Sequence, residues 1–152
     1  MLRRVLIATL VAICLALALA VMLRVIGPHG HMSAKINVCR MQMSQLTKEL
    51  FWYEYQTGRF PRADEWVEQL KHLSTSASDK EEISSLLKCP CDTTDSVTSY
   101  WLNPEFAGKT RKGVSQKDRP QIALLREKNF MGSHHWVSYL DGHVERASPV
   151  GQ

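Results

Sequence analysis

Acidic side chains are missing from the start of the chain: of 152 residues, the first Asp or Glu is Glu49. Charge of either sign is missing from Val5 to Leu23, 19 consecutive residues whose one polar side chain is the hydroxyl of Thr9. Proline and glycine are sparse, 14 together, which excludes a collagen-like or linker-dominated chain, and no stretch has the low-hydrophobicity, single-sign composition of disorder. Gly-x-Ser-x-Gly, His-Glu-x-x-His and the phosphate-cradling glycine patterns are absent, so no enzyme and no cofactor is expected. Basic blocks interleaved with aromatics are absent as well. The densest basic cluster, Lys109-Thr110-Arg111-Lys112, lies in a Gly-flanked polar stretch and reads as a solvated loop, so no nucleic-acid partner is expected.

The uncharged run is long enough to matter. At about 1.5 Å of helical rise per residue it extends roughly 28 Å, close to the thickness of a bilayer's hydrocarbon core. Arg3 and Arg4 precede it and Arg24 follows, which favours a cytoplasmic N-terminus and a domain on the far side of the membrane. The expected division is therefore an anchor or signal segment at 1–26 and an extracytoplasmic domain at 27–152. Cleavage after Ala18-Leu19-Ala20 would instead give a secreted product. Without Arg3, Arg4 and Arg24, 16 basic residues face 15 acidic ones, and the exported part is nearly neutral.

Gly27-Pro28-His29-Gly30-His31 is expected to interrupt the apolar helix, with Ser33 capping a new one. In that second stretch Ile36, Cys39, Met43, Leu46, Leu50 and Tyr53 recur at spacings of three and four, drawing one apolar stripe. Thr57-Gly58 and Pro61 supply the stop. A helix follows over about Ala63–Leu73, then a short one capped by Asp79 that carries Ile83, Leu86 and Leu87.

Beyond Cys89-Pro90-Cys91 the period changes to that of strands, over Ser96–Leu102, Gln121–Arg126 and His135–Leu140. Asp141-Gly142 predicts a two-residue hairpin turn, with the return strand at His143–Arg146. Helices followed by an antiparallel sheet give an α+β domain in which Ile36, Met43, Leu46, Leu50 and Tyr53 join helix to sheet.

Three segments carry a resemblance. Leu46 to Pro61, ending Gly58-Arg59-Phe60-Pro61 and followed by Trp66 and Leu70, is similar to the helix-end segment of type II secretion pseudopilins. Lys88-Cys89-Pro90-Cys91-Asp92, Ser99 to Pro104, and His134 to Val144 with Asp141-Gly142-His143 resemble bacterial pilin-like proteins with a C-terminal His and Asp-Gly-His signature. The resemblance implies a pilin-like fold and a structural component of an envelope assembly of the type II secretion or type IV pilus kind. Its partners would be the lipid bilayer, other pilin-like subunits and secretion-system proteins, and its place the bacterial inner membrane. The chain departs from that family in lacking a glycine-headed cleavage site and the acidic residue within the apolar run.

Two clusters bear on chemistry. His134, His135, Asp141 and His143 are metal-ligand types within ten positions and define the runner-up reading, an exported metal-binding protein or hydrolase, with a stand-alone envelope binding module as the third. A two-residue turn sets His135 opposite Ser148, roughly 17 Å along the strand from His143 and on the other face, which argues against a shared metal. Cys39 can pair with Cys89 or with Cys91, or pack as a small apolar side chain.

Overall fold

A computed structural model describes residues 2–74, 76–128 and 135–147. Among them are three α-helices, α1 (Leu2–Thr57), α2 (Trp66–Leu73) and α3 (Ala77–Leu86), followed by strands β1 (Tyr100–Leu102), β2 (Ala123–Glu127), β3 (His135–Tyr139) and β4 (Val144–Ala147). The chain is thus α+β with a small antiparallel sheet. It divides into two compact units, Met1–Ile36 and Asn37–Gln152.

In the first unit the backbone is helical from Leu2 onward, and the expected break at Gly27–His31 with a fresh cap at Ser33 does not occur. One glycine costs a helix about 1 kcal/mol and one interior proline about 3, and long helical runs on both sides offset such local costs because propagation is cooperative. Within the uncharged run, Ile13, Leu15, Leu17, Leu19 and Val21 are all at least 60% exposed. Among the described residues no helix is long and apolar enough to cross a membrane.

The second unit is built on the stripe of α1. Cys39, Met43, Leu46 and Leu50 are 1% exposed or less, whereas Ile36, before the unit begins, and Tyr53 are only half-buried. The helix ends where the sequence says. Gly58 takes φ +81°, its N–H donates to the Glu54 carbonyl at 2.8 Å, and Pro61 follows.

Helix α2 starts three residues later than expected, because 63–65 form a turn instead. The Gln69 side chain closes that turn, accepting from the Arg62 N–H at 2.9 Å and donating to Glu65 at 3.0 Å. The cap of α3 is Ser76, not Asp79: Ser76 Oγ accepts from the Asp79 N–H at 3.1 Å, which puts Asp79 in the first turn.

The sheet is a meander in the order β1-β2-β3-β4, every pair antiparallel. Strand β1 is shorter than expected. The Ser99 N–H, which would face β2, donates instead to the Leu87 carbonyl at 2.8 Å, and 96–99 stay irregular. Tyr100, Leu102, Leu124, Leu125, Val137 and Leu140 supply the sheet's share of the core.

The hairpin differs from its expected form by one residue. Tyr139 N–H donates to the His143 carbonyl, Gly142 N–H to the Tyr139 carbonyl, and Ser138 pairs with Val144, which leaves the three-residue loop Leu140-Asp141-Gly142. Only Gly142 needs positive φ, at +95°, and Asp141 does not share it. A three-residue loop with glycine in the left-handed position is the next most common hairpin solution, and its Asp-Gly signature looks the same in sequence.

Candidate functional site

The corrected register moves the histidines. His135 now pairs with Ala147 instead of Ser148, and His143 lies opposite Tyr139, their rings stacked 3° from parallel with centroids 4.3 Å apart. Cross-strand partners share a face and alternate positions along a strand do too, so His135 and His143 lie on one face, contrary to expectation. They remain separated by four strand residues, about 13 Å.

His143 is instead bound locally. Its Nδ1 lies 2.6 Å from Asp141 Oδ1, and its N–H donates to the same oxygen at 3.1 Å. Burial works against the charge on Asp141, but the bonds from His143 outweigh it and hold the carboxyl below its usual range. The His135 ring is buried, and burial first, then the Arg126 charge, lowers its pKa. His134 lies outside the described residues. The described members of the set do not converge.

The cysteines do converge. Cys39 of α1 is disulfide-bonded to Cys89, with Cα atoms 5.1 Å apart, and Cys91 is buried beside them. Among the described residues these three are the one group of metal-ligand side chains whose donor atoms come together, all sulfurs within 4.8 Å of one another.

A groove of about 580 Å³ opens between α1, α2 and α3. Trp52, Leu73 and Ile83 line it, and Glu49, Asp79 and Glu82 give it an acidic rim. Burial, then the charges of Glu82 and Asp79, raises the Glu49 pKa. Glu82 already accepts from Gln45 Nε2 at 2.9 Å.

One polar centre escaped the sequence reading. Glu54 is 5% exposed; its carboxylate accepts from the Thr110 hydroxyl at 2.9 Å and the Arg111 N–H at 2.7 Å, and pairs with the Arg111 guanidinium at 2.6 Å. The basic cluster at 109–112 is therefore not simply solvated: Arg111 is drawn onto α1, its guanidinium 3.8 Å from the Phe51 ring centre. A signal was available, since Glu54 follows Leu50 by four and so falls on the buried stripe, where a carboxylate needs a cation.

The remaining feature is the opposite side of α1. Val38, Met41, Trp52 and Tyr55 are 42%, 70%, 54% and 77% exposed, and Trp52 stacks on Tyr55 with centroids 5.7 Å apart. At 100° per residue Met41, Trp52 and Tyr55 lie about halfway round the helix from the centre of the stripe Cys39, Met43, Leu46 and Leu50, and Val38 about a third of the way; exposed Gln45 and Lys48 sit on the same side between the two pairs. Compared with protein-family models, curated proteins and solved structures, the chain matches none.

Proposed function

We propose that this chain is a membrane-anchored, pilin-like structural component of a bacterial envelope assembly of the type II secretion or type IV pilus kind. The observation that carries the reading is the pair of exposed apolar clusters on α1 away from its buried stripe. A surface helix needs one apolar stripe to cover its own domain. This helix has that stripe and, away from it, exposes two apolar pairs at a spacing of three, Val38 with Met41 and Trp52 with Tyr55, separated by exposed Gln45 and Lys48, side chains available to a neighbouring helix.

The sequence of Val5–Leu23 supports the anchor: 19 uncharged residues match a bilayer core in length, and the flanking arginines favour an N-terminus inside. In this reading the apolar segments hold neighbouring copies or partner subunits in the membrane, and the exposed face of α1 packs against the next helix. The role is mechanical, and no residue is assigned to catalysis.

Two measurements on intact cells test it. Mass analysis of the membrane-bound protein with external protease should find a retained Met1 and a digestible C-terminal domain. A photo-crosslinker at Met41 or Tyr55 should give ladders of discrete neighbours. Recovery of the full-length chain from cytosol without detergent, or crosslinkers that capture no neighbour, would overturn the reading.

A further inference from the structure

The three sulfurs sit in a dry, pre-shaped place. Cys39, Cys89 and Cys91 are 1%, 3% and 8% exposed. Cys39 comes from a rigid helix, and the other two from a Cys-Pro-Cys turn closed by the Asp92 N–H on the Cys89 carbonyl at 2.9 Å. That turn is fixed from outside: the Cys89 N–H donates to Ser99 Oγ at 2.9 Å, and Ser99 Oγ donates to Asp92 at 2.6 Å. The Cys91 N–H points at Cys89 Sγ, 3.3 Å away, a contact that stabilises negative charge on sulfur.

We propose that Cys39, Cys89 and Cys91 form a three-sulfur binding site for Cu(I) once the Cys39–Cys89 bond is reduced. A structural bridge uses two sulfurs, and here the turn holds a third within 4.8 Å of both. A cation bonded to three sulfurs at about 2.3 Å needs them about 4 Å apart, so opening the bond and shifting Cys91 by less than an ångström satisfies it. Thiolates select soft cations, Cu(I) and Zn(II) foremost. Structural zinc sites take four protein ligands and open ones add a water to three; among the described residues no fourth His, Cys, Asp or Glu joins the group, and with all three cysteines 8% exposed or less there is little access for a water ligand, which favours copper.

The chemistry balances with a dithiol as reductant. It gives two electrons and two protons to Sγ of Cys39 and Cys89 and itself closes to a disulfide. Cu(I) then displaces three thiol protons to solvent, so affinity rises with pH. The disulfide and the metal compete for the same atoms, and the site switches with the redox state of its surroundings. It stands independently of the role proposed above.

The test uses the full chain in detergent with Cys14→Ser, which removes the remaining thiol. The protein is reduced, freed of reductant without oxygen, and titrated with Cu(I) against a coloured copper chelator, with near-ultraviolet circular dichroism read on the same samples. The expected result is one Cu(I) per chain with thiolate-to-copper absorption, and no binding before reduction. Cys91→Ser should keep the oxidised protein folded, with a cooperative melt and its near-ultraviolet signal, and weaken Cu(I) binding by roughly tenfold or more. The inference is overturned by failure to compete with the chelator, by undiminished affinity in Cys91→Ser, by stoichiometric Zn(II) displacing copper, or by a reduced chain that neither keeps nor regains its near-ultraviolet signal with Cu(I).

Discussion

The Glu54 carboxylate meets the Arg111 guanidinium at 2.6 Å, joining the last turns of α1 to a loop 57 residues further along the chain. The carboxylate is almost wholly buried while Arg111 keeps 28% of its side chain exposed, so losing the cation strands a charge where water does not reach. Arg111→Ala should therefore cost about 3 kcal/mol, with Glu54→Ala in the same range because it also orphans the Thr110 hydroxyl and the Arg111 N–H. Urea midpoints of the two single variants and the double variant give the coupling. If the two single losses simply add, the pair is not a unit.

Asp92 contributes to the acid limb of the domain's stability. Burial disfavours its charge, but Ser99 Oγ at 2.6 Å, the Thr94 N–H at 2.8 Å, Thr94 Oγ1 at 2.7 Å and the Lys88 ammonium at 3.5 Å together outweigh burial and hold its pKa well below the usual carboxylate range. A depressed folded pKa gives stability that is present above the unfolded value, about 3.9, and lost as pH falls through it toward the folded one. Asp92→Asn should lower stability at pH 7 by about 1.5–3 kcal/mol and flatten the acid limb of the stability curve. Glu49 has the opposite sign: its raised pKa makes its ionised form unfavourable in the folded state as pH rises, so Glu49→Gln should stabilise at neutral pH. Thermal melts from pH 3 to 8 check both, and parallel curves for Asp92→Asn and the parent would refute the first.

The sequence was most readable where a local rule had nothing to compete with. The stripe Cys39, Met43, Leu46, Leu50 and the stop at Gly58 need only helical periodicity and a left-handed glycine, and both are in place. Continuity of α1 through Gly27 and Pro28 was not readable, because residue propensity counts the local cost and omits the flanking helix. The hairpin register was ambiguous for another reason: Asp141-Gly142 suits two-residue and three-residue loops alike, and the one-residue difference reversed the expected relation of His135 to His143. For the cysteines, Cys89 and Cys91 lie two apart on one turn, and sequence alone cannot choose the partner of Cys39. Arg111 was read from its polar neighbours, while its partner Glu54 lies on a distant helix.

Gly142 ties the hairpin to that same helix. Its φ of +95° is strained for any residue with a side chain, and a Cβ built there would lie 3.2 Å from Phe51 Cε2. Phe51 has little room to yield, since the Arg111 guanidinium lies 3.8 Å from its ring centre and Phe60 flanks it with centroids 6.2 Å apart. Gly142→Ala thus combines a backbone cost of about 1–2 kcal/mol with a steric cost that disturbs the Arg111 contact. The two separate in a Phe51→Ala background, where the steric part vanishes and the alanine should cost about 1–2 kcal/mol alone. Urea denaturation of the four chains measures this. An equal penalty in both backgrounds would mean that the turn and α1 do not press on each other, and a zero penalty in Phe51→Ala would mean that the left-handed conformation is not required.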